Sequence, residues 1–310
     1  MPLSDASSPR VGQTPLICLD ALVPGERISL YGKAEFYNPT GSVKDRAAIS
    51  MIRGAERRGL LHAGGTIVEG TSGNLGIALA AIGARCGYRV ILVTPDSVSP
   101  DKLRHMRAFG AETVLTPAVF GMKRAFAEAR RRAIEIPGAF VPDQPCNPDN
   151  PAIHYATTGP EVFEDTEGRI DAFVAGVGSG GTLSGVAAYL REQRPDIEVV
   201  AVEPASSPTI SRGTAGPHRI EGIGPGFVPQ ILRRDLIDRV ETVSDVEAEQ
   251  MVWVLARRVG VLVGLSSGAA VCAALRVARE GRFAGKTVVT ILADSGTHYL
   301  SKPDFMNLRL

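Results

Sequence analysis

The chain has 310 residues, of which 44% are hydrophobic and 22% charged, and its formal net charge is +1. This length can bury one large core or two joined ones, and the near-neutral charge gives no reason to expect binding to nucleic acid or to an acidic membrane surface. Only six of the 34 basic residues are lysines, so lysine chemistry has few candidates.

The four cysteines are far apart and form neither a disulfide pattern nor a metal-binding pattern, so we expect no metal site. The first residues lack the basic and apolar regions of a secretory signal, and no apolar run reaches the length of a membrane span. We therefore expect a cytoplasmic protein that acts on small molecules.

Short apolar runs alternate along the chain with segments of helical periodicity. The runs that predict strands are 28–36, 66–69, 89–93, 112–115, 172–176, 198–202 and 287–292. The segments that predict helices are 43–58, 75–86, 102–109, 122–135, 181–191, 247–258 and 268–278. Nearly continuous apolar strands separated by helices are typical of parallel sheets covered on both faces, so the sequence predicts an α/β fold.

Two regions interrupt this alternation. Residues 137–160 and 203–230 are rich in proline, glycine and short polar residues, and they predict long connections. Connections of that length in a compact chain often lie over a functional site. The first of them also suits a boundary between two α/β lobes.

The first glycine-containing turn, at 38–46, puts Lys44 in the first turn of a predicted helix. A cation there opposes the helix dipole, and a protein that accepts this cost often needs an amine of lowered pKa as a nucleophile or Schiff-base former. A solvated lysine beside Asp45 would fit the same residues. The turn is therefore informative only together with two others.

The second turn, EGTSGNLG at 69–76, also joins a strand to a helix. Its hydroxyls, its asparagine side chain and its free backbone N–H groups suit a carboxylate of about one amino acid in size. A simple helix N-cap would explain the same residues equally well.

The third turn runs from a strand through GSGGT at 178–182 into a helix. Glycines let the backbone approach an anion closely, and the start of a helix favours a phosphate, so the sequence predicts a phosphate site here. A tight turn without a ligand is the alternative. A dinucleotide site is disfavoured, although Glu203 comes close to the position of the acidic residue that such a site needs.

Two later motifs resemble other kinds of site. The segment GLSSG at 264–268 has the form of a hydrolase nucleophile elbow around Ser266, with Asp294 and His298 as its downstream partners. These two lie only four residues apart, whereas triad partners normally come from separate strand ends, so a serine hydrolase is the less favoured alternative. The segment 281–287 resembles a P-loop but leads into a strand rather than a helix, and we reject it.

Together and in this order, the motifs resemble those of the cysteine synthase and cystathionine β-synthase family of fold-type II pyridoxal-phosphate enzymes. The matching stretches cover nearly the whole chain: VGQTPL (11–16), NPTGSVKDRAA (38–48), EGTSGNLGIALA (69–80), NPDNPAIHYATTGPE (147–161), GSGGTLSG (178–185), EGIGPGF (221–227), GLSSGAA (264–270) and LADSGTHYLS (292–301).

This resemblance implies a tryptophan synthase β-like fold with two three-layer α/β/α lobes and mostly parallel sheets. Residues 1–37 and 147–310 would form the larger, cofactor-binding lobe, and residues 38–146 a smaller, mobile substrate lobe. A homodimer is implied in the same way.

The resemblance also assigns roles to individual residues. Lys44 would carry pyridoxal 5′-phosphate as a Schiff base and act as the catalytic base, Asn74 would bond the phenolic oxygen of the cofactor, and Ser266 would face its pyridine nitrogen. The residues implied to bind the phosphate are Gly178, Ser179, Gly180, Gly181 and Thr182. The residues implied to bind the substrate are Thr71, Ser72, Gly73, Gln144 and Gly222.

The implied activity is that of a transferase of amino-acid biosynthesis. It would replace the β-substituent of O-acetylserine or O-phosphoserine through an aminoacrylate intermediate, with sulfide as the favoured nucleophile, as in cysteine synthase. Three features depart from the usual cysteine synthase pattern, namely Leu75, Pro145 and the segment 97–111. Leu75 and that segment are more similar to a branch that uses an amine nucleophile and gives a 2,3-diaminopropionate-type product. The leaving group and the nucleophile therefore stay open.

A non-catalytic regulator on the same fold is a further alternative. The presence of both Lys44 and Asn74 argues against it.

Overall fold

The computed structural model describes residues 10–71, 73–302 and 305. The strands are β1 (Leu16–Cys18), β2 (Ser29–Ala34), β3 (Thr66–Gly70), β4 (Arg89–Pro95), β5 (Glu112–Thr116), β6 (Ala172–Gly176), β7 (Glu198–Pro204), β8 (Arg239–Val243) and β9 (Thr287–Leu292). The α-helices are α1 (Lys44–Arg57), α2 (Asn74–Cys86), α3 (Pro100–Ala108), α4 (Gly121–Glu135), α5 (Asp149–Ile153), α6 (Gly159–Asp165), α7 (Gly181–Gln193), α8 (Asp245–Val254) and α9 (Leu265–Ala278).

The strands form two sheets. The larger sheet has the order β1-β2-β9-β6-β7-β8, and its neighbouring strands are parallel except that β1 runs antiparallel to β2. The smaller sheet has the order β3-β4-β5 and is parallel. The predicted α/β class with mostly parallel sheets is confirmed. The predicted division into lobes at residues 38 and 147 stays a prediction.

Helices cover both faces of each sheet. In the larger sheet, Ala172 and Val174 of β6 join a core with α8 and α9, whereas Phe173 and Ala175 join a second core with α6 and α7. In the smaller sheet, α1 and α2 pack on one face and α4 on the other. Strands buried on both faces need apolar side chains at successive positions, which explains the continuous apolar runs in the sequence. Within the described part of the chain, every helix is too short or too polar to cross a bilayer.

The predicted connection at 137–160 is wrong in its second half. There the chain forms α5, a π-helical turn at His154–Thr158 and α6. Pro151 lies in the first turn of α5, where a helix does not need the missing N–H group. Pro160 directly follows the π-helical turn, with which α6 is continuous. Prolines at these two positions are therefore compatible with helix. The predicted connection at 203–230 is confirmed, because the next regular element after β7 is a 3-10 turn at Arg234–Leu236.

The sequence pattern also missed two edge strands, β1 and β8. The sequence of β8 is RVETV, with two charged residues and a threonine among five positions, and only Val243 is fully buried. An edge strand commonly carries charges that discourage pairing with another chain. Because β8 is polar, it lacks the continuous apolar run that predicts a buried strand.

A buried ion-pair cluster fastens α1 to the larger sheet. The guanidinium of Arg46 donates to both oxygens of Glu35 at 2.7 and 2.8 Å and to both oxygens of Glu161 at 2.6 and 2.7 Å. Thr14 donates to Glu35 at 2.7 Å, and Lys33 lies 3.0 Å from Glu161. Removing one partner from such a cluster leaves a buried charge uncompensated, which is strongly destabilising.

We expect Arg46→Met to lower the free energy of unfolding by about 3–5 kcal/mol, because Glu35 and Glu161 would keep their charges without the guanidinium. Chemical denaturation followed by circular dichroism measures this change. The matched control is Arg58→Met, directly after the same helix. The Arg58 side chain is 45% exposed and pairs with Asp149 at the surface, so we expect little change. Equal losses in the two variants would contradict the burial argument.

Candidate active site

The candidate site lies at the carboxyl ends of parallel strands, where α/β proteins commonly bind their ligands. Thr71 follows β3, Gly178 lies two residues after β6, and Ala293 follows β9. These residues line one or both of two adjoining cavities of about 790 and 50 Å³. Lys44 and Asn74 line both cavities, so the two form one continuous candidate site.

The structure brings most of the predicted site residues together. The smaller cavity is lined by Lys44, Asn74, Gly178, Ser179, Gly180, Thr182, Gly222 and Ser266. The larger cavity is lined by Lys44, Asn74, Gly178, Ser179 and Gly222, and also by Thr71 and Gln144. Within the described chain, Gly73 and Gly181 lie beside these residues without lining either cavity. Ser72 lies outside the described residues. The individual roles of all these residues stay predictions.

Lys44 is the first residue of α1, as its turn predicted. Desolvation by the surrounding protein lowers the pKa of its amine to about 8, and the negative charge of Asp294 opposes this decrease. At pH 7 about a tenth of the Lys44 amines would be neutral, against well under a thousandth for an ordinary lysine. This position thus gives the amine the reactivity that a nucleophile or a base needs.

The turn from β6 into α7 has the form of an anion cradle. Gly180 has a φ of +86°, which favours glycine, and a Cβ atom on Gly178 would lie 2.1 Å from the backbone oxygen of Gly222. α7 begins at Gly181, so its first backbone N–H groups lack partners within the helix. Together with the hydroxyls of Ser179 and Thr182, these donors fit a phosphate group.

Two side chains behind this turn were not predicted as site residues. The amide of Asn150 donates to Ser179 Oγ at 3.0 Å and to the backbone oxygen of Gln144 at 2.9 Å. His154 Nε2 lies 3.3 Å from Thr182 Oγ1. Burial lowers the pKa of His154, so its ring is neutral at pH 7. Both residues belong to the stretch 147–161, where no regular spacing reveals their contacts.

Two further lysines line the larger cavity. Lys102 Nζ lies 2.8 Å from Glu221 Oε2 and donates to the hydroxyl of Tyr299 at 3.0 Å, and burial lowers its pKa to about 8. Lys302 pairs with the other oxygen of Glu221. With Lys44, three of the six lysines of the chain line this one cavity.

The alternative hydrolase site is not assembled among the described residues. The carboxylate of Asp294 accepts from the amide of Asn74 at 2.6 Å, and His298 Nδ1 lies 3.2 Å from Asn74 Oδ1. Neither side chain bonds Ser266 in the described hydrogen bonds. The apolar run at 259–263 forms no strand before Ser266, whereas a nucleophile elbow needs one.

The lowered pKa of Lys44 makes a testable prediction. In protein freed of bound ligands, the acylation rate of Lys44 by a small amine-reactive reagent should reach half its maximum near pH 8, because only the neutral amine reacts. Peptide mass spectrometry at a series of pH values separates Lys44 from the other lysines. Nα-acetyl-lysine in the same tube provides the ordinary amine, with its midpoint near 10.4. Coincident midpoints would show that the site does not perturb the amine.

Comparisons with known proteins agree with this geometry. A family model described as "Pyridoxal-phosphate dependent enzyme" matches residues 7–294. The chain is 46% identical over 295 residues to a cysteine synthase of Staphylococcus aureus, and the match covers 94% of each protein. It is similar to the crystal structure of O-ureido-L-serine synthase, with 41% identity over 96% of this chain and 94% of that one and a TM-score of 0.92. It is likewise similar to a cysteine synthase from Entamoeba histolytica, with 38% identity over 97% and 90% and a TM-score of 0.92.

These matches confirm the resemblance that the motifs indicated. The family model covers most of the chain, and a curated relative well above 30% identity covers nearly all of it. The chain therefore belongs to the pyridoxal-phosphate dependent enzymes of the cysteine synthase family.

Proposed function

We propose that the protein replaces the β-substituent of an activated L-serine, with sulfide as the nucleophile and L-cysteine as the product. The observation that carries the proposal is the position of Lys44. Its amine of lowered pKa lines the same small cavity as Asn74, Ser266 and the anion cradle at 178–182. The similarity to cysteine synthases over nearly the whole chain supports the same activity.

The residues of the small cavity fit pyridoxal phosphate. The cradle at 178–182 would hold the phosphate, Asn74 would donate to the phenolic oxygen, and Ser266 would face the pyridine nitrogen. When bound, the cofactor supplies an electron-withdrawing system that acidifies the α-carbon of the amino acid. The neutral hydroxyl of Ser266 leaves the ring nitrogen less positive than a carboxylate would, which favours β-elimination over transamination.

Lys44 has two tasks in this proposal. Its neutral amine would hold the cofactor covalently. When free, the same amine would take the α-proton as a general base while the β-substituent leaves with the electron pair of its bond, and would return the proton to the α-carbon after the nucleophile has added at the β-carbon. A pKa near 8 suits both tasks, because the amine can hold or release a proton close to neutral pH.

The larger cavity would hold the remainder of the substrate. Thr71 and Gln144, with backbone N–H groups at the start of α2, would bind the α-carboxylate. Gly222 would line the mouth through which the nucleophile enters. We further propose that the segment 38–146 moves as a smaller lobe and closes over the bound amino acid, which would exclude water from the reacting β-carbon.

The covalent role of Lys44 is tested by reduction. Cofactor-loaded protein is treated with borohydride, digested and mapped by mass spectrometry, and the expected result is a pyridoxyl group on Lys44. Lys44→Ala should lose this label and at least about 10³-fold in turnover, since both nucleophile and base are missing. Lys123→Ala is the control, because Lys123 does not line either described cavity. A label on another lysine, or none, would contradict the proposal.

The nucleophile is tested by product mass. O-acetylserine and O-phosphoserine are each incubated with the enzyme and with sulfide, an amino acid or hydroxyurea as acceptor. We expect cysteine from sulfide to form fastest. Leu75 departs from the usual pattern, so faster formation of an amine-derived product would favour the diaminopropionate-type alternative. One structural relative is named for a different product, O-ureido-L-serine, and hydroxyurea as acceptor tests for that product.

The lysine Lys102 in the larger cavity leads to a prediction about the leaving group of the substrate. Lys102 lines the larger cavity, and its Nζ lies 2.8 Å from Glu221 Oε2. If the leaving group is a phosphate, Lys102→Gln should lower kcat/KM for O-phosphoserine about tenfold more than for O-acetylserine, because only the phosphate would lose a charged partner. Equal decreases for the two donors would show that Lys102 does not recognise the leaving group.

A homodimer and a location in the cytoplasm are also proposed, since both follow from the family likeness and the sequence. Sedimentation equilibrium of the purified protein tests the first.

A further inference from the structure

Asp294 is a buried carboxylate with two donors on one oxygen. Its Oδ2 accepts from Asn74 Nδ2 at 2.6 Å and from the hydroxyl of Tyr299 at 2.5 Å. The residue is 1% exposed, and among the described residues its second oxygen, Oδ1, has no hydrogen-bond partner. A buried carboxylate oxygen without a hydrogen-bond partner costs free energy of folding. Such a group in a native structure often has a functional role, and Asp294 lies beside the candidate site.

The contacts of Asp294 fix the orientation of the Asn74 side chain. In the hydrogen bond between the two side chains Asp294 Oδ2 is the acceptor, so the amide atom that faces it is the donor Nδ2. Asn74 Oδ1 then faces His298 Nδ1 at 3.2 Å, and the histidine must donate. Nδ2 carries two N–H groups, of which Asp294 takes one, and Asn74 also interacts with the hydroxyl of Tyr299. The second N–H group can serve a ligand only while the amide keeps this orientation. Without these partners the amide could turn over and present its oxygen instead.

The backbone around Asp294 ties together the loops that carry the other cofactor residues. The N–H of Val43 donates to the oxygen of Ala293 at 2.8 Å, and the N–H of Ser295 donates to the oxygen of Gly41 at 3.0 Å. These two bonds hold the loop that leads to Lys44. On the other side, the N–H of Gly264 donates to the oxygen of Asp294 at 3.2 Å, two residues before Ser266.

We infer that Asp294 is a positioning residue that, together with His298, holds the amide of Asn74 with one N–H group directed to the phenolic oxygen of the cofactor. This inference rests on the proposed function, because it concerns the site in which the cofactor would bind. Asp294 acts through Asn74 and through the backbone of segment 293–295, and it makes no bond to the cofactor itself. Among the loops that meet at the site, this segment joins those that carry Lys44, Asn74 and Ser266.

The test is a double-mutant cycle on the holoenzyme, read out as the dissociation constant and the visible absorption spectrum of bound pyridoxal phosphate. Asp294→Ala should weaken binding by about 10–100-fold, the size of effect that loss of an outer partner has at metal sites, and should shift the absorption maximum. In an Asn74→Ala background the same substitution should raise the dissociation constant of pyridoxal phosphate by less than about threefold, because the side chain through which Asp294 acts is already absent.

Two further variants separate positioning from general destabilisation. Asp294→Asn keeps an oxygen for Asn74 and Tyr299 but removes the charge that acts on Lys44, so it should recover most of the cofactor affinity that Asp294→Ala loses. Thr290→Val, in the strand β9 that precedes Asp294, removes a buried hydrogen bond of 2.9 Å to the backbone oxygen of Val174 in β6, without touching Asn74, and should leave the spectrum unchanged. If Asp294→Ala does not fold, His298→Ala tests the same idea, since it should weaken cofactor binding in wild type but not in the Asn74→Ala background.

The outcomes are distinct from those of the proposed function. A wild-type protein that binds no pyridoxal phosphate would refute the function. A wild-type protein that binds it normally, with an Asp294→Ala variant of equal affinity and spectrum, would refute the positioning role. Equal losses from Asp294→Ala in both backgrounds would also refute it, because the two side chains would then act independently.

Discussion

The site depends on one electrostatic constraint, the placement of the Lys44 amine at the start of a helix in desolvated surroundings. Both factors disfavour the ammonium form, and desolvation lowers the pKa of this amine to about 8. The nearby charge of Asp294 keeps the pKa from falling further, so the amine can be protonated or neutral near physiological pH. Neighbouring residues are arranged around this balance, with the anion cradle on one side and the amide of Asn74 on the other.

Parallel topology brings the parts of the site together. The parallel strands of each sheet end at the same edge of that sheet, and the turns after β3, β6 and β9 line the two adjoining cavities although they are far apart in sequence. The scaffold beneath them is apolar and covered by helices on both faces. A rigid support of this kind lets loops carry the chemistry without loss of geometry.

Local signals in the sequence were sufficient to indicate several residues that line the candidate site. The glycines at 178–182 and the lysine at the start of α1 owe their identity to backbone conformation and helix position, which a reader of the sequence can recognise. The contact between Asn74 and Asp294 joins residues 220 positions apart, and the contact between Asn150 and Ser179 joins residues 29 apart. Such contacts depend on how the sheets are assembled, and no short pattern encodes them. The helices at 149–165 and the edge strand β8 were missed for a different reason, since prolines and charges there imitate loop sequence.

The ion-pair cluster around Arg46 has a consequence for how this protein can change in evolution. Glu35 and Glu161 both depend on the same guanidinium, and Thr14 and Lys33 complete the set. Replacement of one member alone would leave a buried charge without a partner and would lower stability. Simultaneous replacement of the charged members by apolar residues of similar volume would change stability little. Homologues should therefore keep these positions together or exchange them together, and this covariation should be visible even where the active-site residues never vary.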